Sequence, residues 1–327
     1  MSNSYYAYEV TRIHANEQRL LNKQDIETLI AASDANEVLR LLKEKGWSSS
    51  GAGADIEADA MLHEETQKTW DLVQELCGNI AEFAIFRYVN DFHNLKAAIK
   101  LTCTEETKNN ERYFIPYGNV EASVIMQATA AHDFSELPEY LKTAGQEAYD
   151  ILVNTGNGQL CDMILDNAAL ETIWQEGEKT KSKMLQAYVK ITVDVANIKA
   201  AVRCFRMGKS KEFVERAIAN AGTFEKDLLV AAACEGIDEI CKLLEQAGYS
   251  NGAEALRKSM AAFECWCDNA VIEMIRPQRG NYFGIEPIAA FVLGRENEIR
   301  LVRLIISAKI NHLENAVLRE RLRLTYV

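Results

Sequence analysis

Asp91-Phe92-His93-Asn94-Leu95-Lys96-Ala97-Ala98-Ile99-Lys100 returns as Asp194-Val195-Ala196-Asn197-Ile198-Lys199-Ala200-Ala201-Val202-Arg203, and a third time as Glu296-Asn297-Glu298-Ile299-Arg300-Leu301-Val302-Arg303. Leu95 and Ile198 are 103 positions apart, and Ile198 and Ile299 are 101 apart. A second anchor, Asp166-Asn167-Ala168-Ala169-Leu170-Glu171-Thr172-Ile173, recurs 102 positions on as Asp268-Asn269-Ala270-Val271-Ile272-Glu273-Met274-Ile275, with Glu65 to Leu72 as a faded first copy. A third is a stop: Gly46, Gly145 and Gly248 each close an amphipathic run. Three anchors in one order and at one spacing define a triplicated helical unit. The expectation is an all-α protein of three related units, 1–113, 114–217 and 218–327, arranged about a pseudo-threefold axis.

Composition agrees with this and narrows the partners. A chain of 327 residues that is 48% hydrophobic has ample material for a large core. No apolar run approaches the roughly 20 residues that span a bilayer, and Met1-Ser2-Asn3-Ser4-Tyr5-Tyr6 lacks a basic-then-apolar leader pattern. The expected location is therefore cytoplasmic. A formal charge of -12 repels nucleic acid and the anionic leaflet, so any membrane attachment would pass through another protein, without direct lipid insertion. The eight cysteines contain no Cys-x-x-Cys pair and are expected to be reduced, buried small hydrophobes.

Apolar spacing is helical almost throughout, and four prolines in the whole chain rarely interrupt it. Ser33 is the expected N-cap of the run carrying Val38, Leu39, Leu41 and Leu42, which ends at Gly46. Asp133 with Glu136 reads as a capping box for a helix carrying Leu137 and Leu141 and stopping at Gly145. The third copy carries Ile240, Leu243 and Leu244 and stops at Gly248. Turns are expected at 48–53, 154–158 and 250–252, with longer connections at 108–119, 207–210 and 277–284.

Catalytic patterns are missing where they would be needed. The five histidines are scattered, and His63-Glu64-Glu65-Thr66-Gln67 has Gln where a zinc helix requires its second His, which leaves a solvated helix surface. No Glu precedes a His by three positions, as a di-iron bundle would demand. Asp162 and Asp166 are one turn apart but lack a second acidic motif for a Mg²⁺-diphosphate site. The glycine clusters at 51–53 and 154–158 read as turns, since neither follows a strand nor continues into Gly-Lys-Ser/Thr. The expectation is no cofactor, no metal and no catalysis.

What the repeat does carry is a basic stripe. Lys96 and Lys100 are one helical turn apart, Lys199 and Arg203 likewise, and Arg300 and Arg303 are three apart. These six cations, with Asn94 and Asn197, are the candidate protein-interface residues. Two readings stand open: the cations pair with acids of their own unit, Asp91, Asp194 and Glu296 being the candidates, or the stripes converge on the pseudo-threefold axis and bind a partner.

The ordered pieces resemble the C subunit of the bacterial and archaeal V/A-type ATPase, equivalent to the d subunit of the eukaryotic vacuolar enzyme. The likeness spans nearly the whole chain. It starts at Tyr6-Ala7-Tyr8-Glu9-Val10-Thr11-Arg12-Ile13 and Arg19-Leu20-Leu21, passes through the helices at Asp91 and Asp194 and through Phe283-Gly284-Ile285-Glu286-Pro287-Ile288, and closes with Arg319-Glu320-Arg321-Leu322-Arg323-Leu324-Thr325-Tyr326-Val327. The third unit departs by carrying Glu298 where the others carry Asn94 and Asn197. The resemblance implies a funnel of three helical domains, monomeric within its complex and peripheral to the membrane. It would be seated on the membrane rotor ring of c/K subunits and receive the central axle made by the D and F subunits. Its implied work is non-catalytic coupling of ATP hydrolysis or synthesis to H⁺ or Na⁺ movement. The competing reading is a free helical-repeat scaffold for peptide partners, but such arrays repeat every 30 to 50 residues or so, against about a hundred here.

Overall fold

The computed structural model describes residues 6–48, 54–78, 81–104 and 110–327, and every regular element among them is helical. The expected all-α class holds. In the first two stretches lie α1 (Ala7–Glu17), α2 (Lys23–Ala31), α3 (Ala35–Glu44) and α4 (Ala54–Cys77). Next come α5 (Tyr88–Thr104), α6 (Ala122–Ala131), α7 (Glu139–Thr155), α8 (Gly158–Lys179) and α9 (Lys183–Arg206). They are followed by α10 (Lys211–Ala217), α11 (Lys226–Glu235), α12 (Ile237–Gln246) and α13 (Ser250–Lys258). The last are α14 (Met260–Ile275), α15 (Glu286–Ile310) and α16 (Asn315–Glu320). The chain forms two compact units, one of Met1–Asn79 with Glu254–Val327 and one of Ile80–Ala253. The turn expected at 48–53 lies, beyond Ser48, outside the described residues, as do residues 108 and 109 of the connection expected at 108–119.

Local chemistry explains several helix ends. The cap of α3 is Asp34 rather than Ser33: Asp34 Oδ1 accepts from Glu37 N at 2.9 Å, while Ser33 contributes its own N–H to Glu37 Oε2 at 2.6 Å. Gly46 and Gly248 take φ of +89° and +86°, and Trp47 N and Tyr249 N reach back to Leu42 O and Leu244 O. Both are left-handed helix stops that glycine adopts without strain. Gly145 is different. It lies inside α7, which begins after Pro138 and runs on to Gly156. A β-carbon on Gly145 would stand 3.0 Å from Phe134 Cδ1 and 3.3 Å from Leu95 Cδ2, so this glycine serves close packing. Asp133 accepts from Ser135 N instead of opening a box with Glu136.

Repetition in sequence and packing in space are offset. In the unit Ile80–Ala253, α5 buries Phe92, Leu95, Ala98 and Ile99 against Ile125 of α6, Leu141 and Ala148 of α7, and Cys161 and Leu165 of α8. The last helix of the first repeat thus shares a core with the helices of the second. In the other unit, α15 from the end of the chain buries Ile299, Val302, Ile305 and Ile306 against Ile26 and Leu29 of α2, Val38 and Leu42 of α3, and Met61 of α4. Each such side chain contributes on the order of 1.5–3 kcal/mol when fully buried, so the two ends of the chain are fastened through one core. The eight cysteines are unbridged; Cys161, Cys204, Cys241 and Cys267 are buried as expected, whereas Cys103 and Cys234 are exposed.

Candidate functional site

On α5, the residues Asp91, Asn94, Leu95, Ala98 and Ile99 share one helical face, and all five are buried. Two polar side chains therefore enter the interior, where each must find partners. Asp91 accepts from Val120 N at 3.1 Å, from Asn119 Nδ2 at 2.9 Å and from the Tyr140 hydroxyl at 2.9 Å. Asn94 accepts from Ile115 N at 2.8 Å and donates to Ile115 O at 2.9 Å. Together they clamp the loop 115–120. Burial raises the Asp91 carboxyl above its usual range, opposed by these three donors, and burial beside Asp91 raises the Tyr140 phenol far above its own.

The second repeat builds the same clamp from α9. Asp194 accepts from Thr223 N at 2.7 Å, Thr223 Oγ1 at 2.5 Å and the Tyr249 hydroxyl at 3.2 Å. Asn197 accepts from Ala219 N at 3.0 Å and donates to Ala221 O at 2.8 Å. Gly118 and Gly222 are required in these loops, because a β-carbon on either would collide with Oδ1 of the clamping aspartate.

The third clamp, on α15, is rebuilt with the charge inverted. Arg295 stands four residues before Ile299, as Asp91 stands before Leu95, and Glu298 occupies the Asn94 position. Glu298 Oε2 accepts from Leu21 N at 2.8 Å, so the loop held here is the one entering α2. Arg295 donates to both Glu298 and Glu65, and its guanidinium lies 4.7 Å from the centre of the Trp47 ring. Trp47 follows Gly46 as Tyr249 follows Gly248. Aspartate held by a tyrosine hydroxyl has become arginine stacked on a tryptophan face. Burial pushes Glu298 up to about 7, against the pull of Arg295 and of the Leu21 N–H.

Lys96, Lys100, Arg300 and Arg303 of the basic stripe have acidic partners, though not the ones expected. Lys96 meets Asp166 at 2.5 Å and Lys100 meets Asp162 at 2.6 Å, so the two carboxylates one turn apart on α8 form a ladder with the two lysines on α5. Arg303 reaches Asp59, which lies 103 positions before Asp162, at 3.3 Å, and Arg300 reaches Asp268 at 3.5 Å. Asp91 and Asp194 cannot serve as partners because their oxygens face the loops; Glu296 does feel the Arg300 charge. Lys199 is half-buried and Arg203 exposed, both on α9. Asn94 and Asn197 are interior groups, 1% and 2% exposed.

Sequence reasoning missed Glu65, placed on a solvated surface but in fact 4% exposed and joined to Lys68 at 2.5 Å as well as to Arg295. Its spacing from Met61 and Thr69, four residues to either side, was the available signal. Among the described residues no three His, Cys, Asp or Glu side chains are grouped to hold a metal, and no helix is long and apolar enough to cross a membrane.

The clamps run the length of the match to one family, the ATP synthase (C/AC39) subunit, whose model fits residues 10–321. The chain belongs to this family. It is similar to the C subunit of the V-type sodium ATPase of Enterococcus hirae, 24% identical over 324 residues that cover 96% of this chain and 97% of that protein. It is also similar to the C subunit of the A-type ATP synthase of Methanocaldococcus jannaschii, 25% identical over 354 residues, covering 97% and 86%. The corresponding A-type protein of Methanosarcina acetivorans is 21% identical over 342 residues, covering 98% and 93%. In this C/AC39 chain, then, the repeated motif that marks the family resemblance is a set of buried loop clamps bordered by a ladder of ion pairs.

Proposed function

We propose that this chain is the non-catalytic central-stalk component of a V/A-type ATPase or ATP synthase, joining the axle of the D and F subunits to the membrane rotor ring. The observation that carries this reading is the family match over residues 10–321, with relatives that are named as C subunits of such enzymes aligned nearly end to end. In it, the protein is a single copy within the complex, on the cytoplasmic side and peripheral to the membrane, and couples ATP turnover to H⁺ or Na⁺ movement. Repeats 1–113, 114–217 and 218–327 form the walls of a funnel. A torque-bearing part must not yield at its connections, and close-packed helices whose loops are fixed by satisfied buried polar groups resist deformation.

The basic stripes lie on the inner wall in this reading. Lys199 with Arg203 meets acidic groups of the axle foot, and the exposed arginines Arg300 and Arg303 exchange Asp268 and Asp59 for such groups, so docking weakens with salt.

Affinity purification of the tagged chain from mildly solubilised membranes of its own organism tests the proposal. The rotor ring and the D and F subunits should come with it in one complex. Recovery of unrelated peptide partners with the ATPase left behind would instead favour the free scaffold.

A further inference from the structure

The last residues of the chain, 322–327, form a non-helical strap on the unit that contains α1, α14 and α15. Arg323 Nε donates to Asp268 at 3.0 Å, Leu324 N to Asn269 Oδ1 at 2.7 Å, and Asn297 Nδ2 to Leu324 O at 2.9 Å. Beyond these bonds, Tyr326 is 3% exposed and packs on Gly294, where a β-carbon would stand 2.6 Å from its Cγ. Its hydroxyl donates at 2.8 Å to Oε1 of Glu17, a buried acid at the end of α1. The other oxygen of Glu17 lies 2.7 Å from His14 Nδ1, and His14 Nε2 lies 2.9 Å from the carbonyl oxygen of Asn281.

That arrangement fixes the proton count. A carbonyl oxygen only accepts, so Nε2 must carry a hydrogen. Nδ1 faces a carboxylate oxygen that also needs a donor, so a second proton must sit between His14 and Glu17. A neutral imidazole beside an ionised Glu17 would set a lone pair against a carboxylate. The surrounding charges are few: Arg279 lies 6.0 Å from the Tyr326 ring centre, Arg276 donates to Thr325 O, and the Tyr282 ring meets His14 edge-on at 5.3 Å.

We propose that His14, Glu17 and Tyr326 form a proton-dependent latch that fastens the C-terminal strap to helix α1. Burial beside Glu17 holds the Tyr326 phenol far above its ordinary range, so the phenol remains a donor while the shared proton comes and goes. The latch is closed with the shared proton present and loosens as pH rises and that proton leaves. The inner bonds of the strap, at Arg323 and Leu324, do not involve this proton and persist.

Hydrogen exchange of the backbone amides at 325–327 in the full chain, corrected for intrinsic rates, tests the latch from about pH 5 to about pH 9. Wild type should lose protection by about tenfold at the high end, the effect of one hydrogen bond to a charged group. His14→Gln and Tyr326→Phe should show low protection at both ends, and Arg323→Gln should keep the pH dependence. Protection in wild type that does not change with pH would overturn the latch, and so would an unaltered pH response in a folded His14→Gln protein. The wild-type series needs no variant to fold.

Discussion

Asp194 Oδ1 lies 2.7 Å from the position a β-carbon on Gly222 would occupy, and Gly222 itself has φ of +103°. The aspartate can receive Thr223 N only because that space is empty. Gly222→Ala should therefore destabilise the protein by about 1–3 kcal/mol through backbone strain and displacement of the carboxylate. In an Asp194→Ala background the same substitution should cost clearly less, the two residues being coupled. Urea denaturation of the four proteins checks this, and additive effects would refute the coupling.

The third clamp makes a sharper demand. Arg295→Ala leaves Glu65 and Glu298 buried together without their shared counter-charge, a loss of about 3–5 kcal/mol. Lys96→Gln should cost only about 0–1 kcal/mol, since its partner Asp166 is largely in water. Melting curves measured side by side should separate the two by several degrees.

Glu298 also gives the stability a pH dependence. Its folded-state value is about 7, above the 4.5 of an unperturbed glutamate. Between these values the unfolded chain loses the proton that the folded chain keeps, so this group costs stability as pH rises through that window. Glu298→Gln should remove the effect, and the gap in melting temperature between wild type and variant should change from pH 4.5 to pH 7 in the variant's favour. A constant gap would show that Glu298 ionises alike in both states.

The stripe separates interface from interior. Lys199→Gln with Arg203→Gln should weaken binding of the D and F axle and flatten its salt dependence while leaving helical melting nearly unchanged. A destabilised protein with normal axle affinity would assign those cations to internal pairing alone.

The helices and the repeated motif were legible because apolar spacing and glycine stops are local signals. The clamps were half legible. Asp91 and Asn94 sit at the spacing of Leu95, Ala98 and Ile99, a face that turns inward, yet the sequence reading takes Asn94 for an interface residue and Asp91 for a partner of the cations. Their partners at 115–120 belong to the next repeat and carry no local signal. Gly145 misled because a glycine that ends a helix and a glycine that admits Phe134 look the same in one dimension. Lys96 and Lys100 were visible as a pair, and so were Asp162 and Asp166, yet only the packing of α5 on α8 joins them.

Mechanical coupling by this chain is tested by ATP-driven ion uptake into membrane vesicles. Vesicles from a strain lacking this chain should accumulate no ion while the detached head still hydrolyses ATP, and adding back the purified chain should restore uptake. Undiminished ATP-driven uptake in the absence of the chain would rule out a coupling role.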